Sequence, residues 1–334
     1  MDILTFITAS TDTLPASALE LLAAARDLGQ RSGDARVHAL LIGADVEPHA
    51  EHLIHHGADD VLVVSHPDLA YPEGDVALAI LETVVQQVSP DVILFPHDDF
   101  SGGHVAPRLA YRLQTGIVTD CTGFDVQDGA IRWLRPVYGS KAMAYMLIQG
   151  DGVQLATTRS LAFEPLPADP DRTGETQTLE IDLASITPLV PLVDRIVEEA
   201  EYAGLSLDQA DIIVSGGRGM EEEENFAILR ELANVLNAAV GGSRPAADMG
   251  WVPHSHLVGQ TGKIVAPNLY VAVAISGAPQ HMSGAGSAKT IVAINKDEDA
   301  PIFKVAHLGI VDEWQNVLPP MIEAAKAVVE KQRG

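Results

Sequence analysis

The chain has a single cysteine, Cys121, in 334 residues. A lone thiol cannot form an internal disulfide, and it cannot supply the clustered thiolates of iron–sulfur or zinc–thiolate centres. Basic residues are scarce as well: 21 Lys and Arg against 46 Asp and Glu leave a formal charge of −25. A field of that sign repels the phosphates of DNA, RNA and anionic membranes, which argues against nucleic-acid partners. Long apolar runs are also missing. Hydrophobic residues make up 47% of the chain, yet none of their runs approaches the ~18 residues of a membrane span, so no membrane insertion is expected. The segment MDILTFITAS has no Lys or Arg ahead of its apolar residues and reads as a first strand, not a secretory signal. A reducing, cytoplasmic location suits this composition.

What is present is alternation. ILTFIT, then a helix with Ala18, Leu21, Leu22, Ala25 and Leu28 on one face, then VHALLIG, form a βαβ opening. VLVV from Val61, a helix from Val76 to Val88 and DVILFP from Asp91 continue it, as expected of a parallel sheet covered by helices. From Asp120 to Phe163 several strand-like runs follow one another without a helix. PADPDRTGET after Leu166 has the composition of a linker or surface loop, and ITPLVPLVDRIVEEAEYAG reads as a βα unit crossing into a second domain. There DIIVSGG, LYVAVAISG, KTIVAINKD and APIFKVAH read as buried strands, and a final helix presents Ile322, Ala325 and Val329.

In open parallel sheets ligands bind at the carboxyl ends of strands, so the residues after each strand are the ones to inspect. Ser215 to Gly219 form a Gly-rich turn holding Arg218, and Gly241, Gly242, Ser243 and Arg244 form a second. Val258 to Lys263 and Ile275 to His281 make a third and a fourth small polar loop. Glycines let backbone N–H groups approach an anion, and guanidinium forks add charge. Three of the few basic residues, Arg218, Arg244 and Lys263, fall in such loops, which points to a phosphate-bearing ligand.

The segments VSGGRGM, VGGSRPAADMGWVP, VGQTGKIVAPNLYVAVAISGAPQH and TIVAINKDEDAPIFKVAHLGIV closely resemble the flavin-binding domain of electron-transfer flavoprotein alpha subunits. DVILFPHDDFSGGHVAPRLAYRL, TDCTGFDV and RPVYGSKA are similar to the family's first half, so the resemblance spans nearly the whole chain. It implies an α/β protein of two domains: an N-terminal nucleotide-binding-like parallel domain over residues 1–200 and a C-terminal flavodoxin-like FAD-binding domain over 201–334. It further implies FAD as cofactor, an electron-transfer flavoprotein beta subunit as heterodimer partner, and a partner dehydrogenase and an electron acceptor protein. The chain would carry one or two electrons and turn over no substrate alone. By the same resemblance Arg244 lies over the isoalloxazine ring, Gln260 and Thr261 near N5 and O4, and His281 toward O2. Ser243, Ser276, Gly277 and Gln280 fall along the ribityl–diphosphate portion, and Arg218 and Asn295 toward the diphosphate and adenosine. Val258, Gly259, Ala278 and Pro279 belong to the same loops. Two positions depart from the family: His307 stands where it usually has an aspartate at the adenosine end, and MSGAGSAK replaces a segment closer to LAGMKDSK.

Other constellations have blander readings. His254 and His256 form an HxH pair with no evident third ligand, and His52, His55 and His56 cluster in the first half; both read as surface histidines. HDDFSGGH after DVILFP reads as a strand-end turn with Ser101 or an aspartate as a helix cap. An NAD-dependent dehydrogenase is disfavoured, because no GxGxxG follows the first strand. A non-redox nucleotide-binding module would leave the donors around the flavin ring unexplained.

Overall fold

The computed structural model describes every residue except 139–141, 151, 192, 194–206, 208–209 and 334. The chain divides into two compact units, Met1–Ile196 and Val197–Gly334.

The first unit contains β1 (Asp2–Thr8), β2 (Arg36–Gly43), β3 (Asp60–Ser65), β4 (Val92–Pro96), β5 (Ile117–Cys121), β6 (Gly123–Gln127), β7 (Ala130–Val137), β8 (Ala142–Met146), β9 (Gln154–Thr158) and β10 (Glu175–Thr178). Its helices are α1 (Ala16–Ser32), α2 (His49–His55), α3 (Gly74–Val88) and α4 (Ala106–Arg112). Seven strands pair in parallel in the order β10-β3-β2-β1-β4-β9-β5, and β6, β7 and β8 form a separate antiparallel sheet. Both faces of the large sheet are covered, as a parallel sheet requires. Ile3 and Ile7 of β1 pack on one side with Leu21, Leu22 and Leu28 of α1, whereas Leu4 and Phe6 pack on the other with Leu78, Leu81 and Val84 of α3. The alternation along β1 therefore assigns successive residues to opposite cores. Asp98, after β4, caps the turn that leads into α4: its carboxylate accepts from the Ser101 backbone N–H at 2.5 Å and the Ser101 hydroxyl at 3.1 Å.

The second unit contains β11 (Ile212–Gly216), β12 (Ala239–Gly242), β13 (Leu269–Val273), β14 (Thr290–Asn295) and β15 (Leu308–Val311), with α5 (Phe226–Leu236), α6 (Arg244–Asp248), α7 (Pro279–Ala285) and α8 (Trp314–Arg333). The strands are parallel in the order β12-β11-β13-β14-β15. This is the flavodoxin-like order, in which the first strand of the unit lies between the second and the third. Leu318 and Ile322 of α8 are buried with Leu229 and Leu232 of α5 on one face. Tyr270, Ile291 and Ala285 fill the other.

Four readings of the sequence differ from the structure. The linker-like stretch after Leu166 is fastened to the first sheet: its end forms edge strand β10 beside β3, and Arg172 reaches Asp59 at 2.6 Å. The strand half of ITPLVPLVDRIVEEAEYAG is absent, since Ile186 to Pro191 form no strand; residues 194–204, its helical half, lie outside the described residues. APIFKVAH is not a strand. Pro301 opens a 3-10 turn over Pro301–Lys304, and the strand comes afterwards as β15. Gly241 and Gly242 lie within β12, so the second turn starts at Ser243.

Asp59 ties β10's approach to the body of the unit. It pairs with Arg26 at 2.5 Å and Arg172 at 2.6 Å, and accepts from the Val37 backbone N–H at 2.9 Å. Partial burial raises its pKa, but the hydrogen bonds from Arg26 and Val37 outweigh that and leave it below the usual carboxylate value. A depressed folded-state pKa stabilises the fold above the unfolded value, and that stability is lost as pH falls through the folded value. Asp59→Asn is expected to cost on the order of 1–2 kcal/mol at neutral pH and to flatten the acid limb of stability. Urea unfolding between neutral and acid pH checks both; parallel curves for the two proteins would contradict the assignment.

Candidate functional site

In this strand order the chain winds away in opposite directions from β11 and β13, which leaves a crevice above their carboxyl ends. Five segments leave the sheet there. Gly217 follows β11 and leads into a 3-10 turn at Arg218–Met220. Ser243 follows β12 and precedes α6, whose first residue is Arg244. Residues Leu257 to Lys263 form a loop closed on itself, with the Lys263 N–H donating to the Leu257 carbonyl at 2.7 Å. Ala274 to Ala278 join β13 to α7, and Asn295 ends β14.

Together they enclose a cavity of about 800 Å³. That lies within the roughly 300–1,000 Å³ of small-molecule and cofactor sites. Of the residues singled out from the sequence, Arg218, Ser243, Arg244, Val258, Gly259, Gln260, Thr261, Ser276, Ala278, Gln280, His281 and Asn295 line it. Gly277 and Pro279 do not, although they shape the same loop. Gly277 has φ of +81°, and a Cβ there would lie 2.4 Å from the Ile302 backbone nitrogen, so it serves the path of the chain. Pro279 is the first residue of α7. Lys263 contributes backbone to the loop without lining the cavity.

His307 is elsewhere. It exchanges bonds with Ile291, its own N–H donating to the Ile291 carbonyl at 2.8 Å and its Nδ1 accepting from the Ile291 N–H at 3.0 Å. Ile291 lies at the amino end of β14, opposite the end that meets the cavity. His307 thus falls outside the cavity lining. A carboxylate not singled out for the site, Asp297, does line it, two residues beyond Asn295. The signal for it was its position just past a strand end.

The polar groups are ordered from within. The Asn295 side chain donates to the Ile275 carbonyl at 2.9 Å and accepts from the Asp297 N–H at 3.0 Å, so its amide fixes two lining segments. The Gln260 N–H donates to the Gln280 carbonyl at 2.7 Å, joining the third and fourth loops. Burial pushes the His281 imidazole down to about 4, with the Val258 backbone acting the other way. The ring is therefore neutral near pH 7, and Arg218 and Arg244 are the cationic side chains among the lining residues. On two buried residues that line the cavity, Ser243 Oγ and His281 Nδ1 have no hydrogen-bond partner. Unpaired buried polar atoms are costly, about 1–3 kcal/mol each.

Two guanidiniums, a set of amides and hydroxyls, closely approached glycine backbone and a cavity at a switch point suit a ligand with phosphates at one part and a polar ring at another. Fold and site define a nucleotide-cofactor-binding unit of the flavodoxin-like class. Comparison with known proteins narrows this. Residues 3–184 match the electron transfer flavoprotein domain, and residues 206–286 match the electron transfer flavoprotein FAD-binding domain. The chain is 42% identical to the electron transfer flavoprotein subunit alpha of Megasphaera elsdenii, covering 94% of this chain and 92% of that protein. It is 40% identical to the Bacillus subtilis subunit alpha, covering 92% of each. It is 31% identical to the lactate dehydrogenase (NAD(+),ferredoxin) subunit LctC of Acetobacterium woodii, covering 91% of this chain and 72% of that one. The chain belongs to the electron transfer flavoprotein alpha subunit family, and its cofactor is FAD. Among the described residues no helix is long and apolar enough to cross a membrane.

The segment MSGAGSAK holds a packing contact. Its first half is helical in α7, and a Cβ at Gly284 would lie 2.4 Å from the Gly259 nitrogen and 2.9 Å from the Lys263 carbonyl oxygen. These are backbone atoms that cannot swing aside. Gly284→Ala is expected to displace the Val258–Lys263 loop and to weaken FAD binding at least tenfold, about 1.4 kcal/mol. A titration of the apoprotein with FAD, followed by flavin fluorescence, checks this; unchanged affinity would mean the loop does not contact the cofactor.

Proposed function

We propose that the chain carries electrons on FAD as the alpha subunit of a cytoplasmic heterodimer with an electron-transfer flavoprotein beta subunit. It would receive them from a partner dehydrogenase, of the acyl-CoA dehydrogenase type for example, and deliver them to a quinone reductase or another acceptor protein. The observation that carries this reading is the joining of Arg218, Arg244, Gln260, Thr261, Ser276 and His281 around one cavity at the switch point of the second sheet. A dehydrogenase of the chain's own would need a base beside a second substrate site; the groups here, two carboxylates (Glu221 and Asp297) among mostly donors and cations, line one cavity.

Bound FAD supplies one- and two-electron chemistry at its isoalloxazine ring. The chain's part is to hold it and to favour its reduced charge. Arg244, at the first position of α6, is a fixed positive charge at the cavity, only loosely engaged by Asp248 at 3.5 Å and therefore available to an anionic ring. Gln260 and Thr261 offer an amide and a hydroxyl on a loop anchored to Gln280. Ser243 and Ser276 offer hydroxyls, and Arg218 a guanidinium suited to a diphosphate. Val258, Gly259, Ala278 and Gln280 supply the wall and backbone; Asn295 holds the Ile275 and Asp297 segments in place.

A second reading is that the complex splits electron pairs taken from NADH. It is favoured by the similarity to a protein whose name joins NAD(+) and ferredoxin.

The deciding experiment is the visible spectrum of the chain purified with its beta subunit, before and after dithionite. A stoichiometric flavin spectrum that bleaches supports the carrier; a folded, colourless complex that cannot be reconstituted with FAD points to a non-redox nucleotide-binding module instead. Arg244→Ala is expected to lower the flavin potential by some tens of millivolts, 30 mV being about 1.4 kcal/mol for two electrons. Potentiometric titration reads the shift directly, and an unchanged potential would remove Arg244 from its assigned place.

A further inference from the structure

Beneath the cavity, and not lining it, lies Tyr270 on β13. It is fully buried, and its hydroxyl lies 3.0 Å from His281 Nε2. The two rings come from adjoining elements, with centroids 6.0 Å apart. His281 itself lines the cavity and is 7% exposed, and its second nitrogen, Nδ1, is enclosed without a partner.

A neutral imidazole has one N–H donor and one lone-pair acceptor, and the bond made by one nitrogen decides the state of the other. The two alternatives here differ in what they leave behind. If Tyr270 accepts from Nε2–H, its own proton can go only to the buried Ser215 hydroxyl beside it, and the Ser215 proton and the Nδ1 lone pair are then both left over. If Tyr270 donates to Nε2, its oxygen can accept from Ser215, the Nε2 lone pair is used, and the proton on His281 resides at Nδ1. The second arrangement leaves fewer buried groups unpaired.

We propose that Tyr270 is a positioning residue that holds His281 as its Nδ1–H tautomer, so that the cofactor meets a neutral N–H donor at this wall of the cavity and not a lone pair. This rests on the reading of the cavity as the FAD site. A donor attracts a carbonyl oxygen on which charge accumulates during reduction, whereas a lone pair repels it. Burial agrees with the arrangement: it raises the Tyr270 phenol, keeping it protonated, and lowers His281, keeping it neutral. The Val258 backbone, which favours the protonated imidazole, acts as a carbonyl beside an N–H would.

The test uses the heterodimer labelled with 15N-histidine, the His281 signals being identified by their loss in His281→Ala. Two-bond 1H–15N correlations in the wild type are expected to show a protonated Nδ1 and an unprotonated Nε2. In Tyr270→Phe the Nε2–H form should become populated, and the flavin potential should fall. Adding Tyr270→Phe to His281→Ala should leave the potential of that variant unchanged, because Tyr270 acts through the histidine. Nε2–H in the wild type would overturn the proposal, as would an equal potential shift from Tyr270→Phe with and without His281. If Tyr270→Phe does not fold, the wild-type tautomer still decides. A complex without FAD would refute the reading of the cavity, and the same spectra on that colourless complex would judge the tautomer separately.

Discussion

The backbone apposition of Gly217 and Ala274 is the constraint on which the second unit's site depends. The Gly217 N–H donates to the Val273 carbonyl at 2.8 Å, and a Cβ at Gly217 would lie 2.1 Å from the Ala274 carbonyl oxygen. The ends of β11 and β13 are thereby held side by side at the point where their chains part, one toward Arg218 and the other toward Ser276. Ala274 adopts φ of +53° at this point, a conformation that costs a non-glycine residue on the order of 1–3 kcal/mol. Burial of Ile213, Val214, Val271 and Tyr270 on the two faces of the same strands offsets that cost. Glu221, at φ of +74°, and Gly259, at φ of +147°, line the same cavity, so three of its lining residues hold the left-handed backbone that tight turns require.

Charge is distributed in the same economical way. In a chain of net charge −25, the cavity sets two arginines against two carboxylates, Glu221 and Asp297, a balance that suits an anionic group better than the acidic chain at large. The neutral state of His281 sharpens the division. Fixed positive charge comes from the guanidiniums, and the histidine contributes a dipole whose direction is set by its neighbour. Structural support for the cavity is largely amide and backbone: Asn295 joins two loops, Gln260 joins two more, and Gly284 lets α7 rest on the Val258–Lys263 loop.

Much of this was legible in the sequence because a parallel sheet covered on both faces needs uninterrupted apolar strands, and β1, β4, β11, β13 and β14 have them. Helix α1 declared itself through Ala18, Leu21, Leu22, Ala25 and Leu28, each no more than 1% exposed. The strand ends were legible too, since small or polar residues follow each of them. The failures were also physical. The residues of β10, ETQT, are all exposed, so an edge strand paired on one side left no hydrophobic signature. APIFKVAH carries the apolar spacing of a strand, but Ile302 is buried from a 3-10 turn and accepts the Ala306 N–H. Gly241 and Gly242 look like a turn, yet β12 needs them small: Cβ atoms there would lie 3.1 and 2.5 Å from Val258 and Val252. That His307 lies away from the cavity lining could not be read, because sequence proximity to β15 does not reveal which end of the sheet a residue occupies. Tyr270 could not be found at all, because its role comes from a contact with α7 across the core.

Cys121 closes β5 with no exposed surface, and burial pushes its thiol up to about 12. Near neutral pH an enclosed thiol with almost no thiolate neither reacts with alkylating agents nor takes part in exchange. As the only sulfhydryl in the chain, it becomes a chemical clock: the rate at which it is labelled reports how often the first unit opens, with no contribution from the unit that holds the flavin. The two halves of the molecule can therefore be followed on separate channels, one by thiol modification and the other by colour.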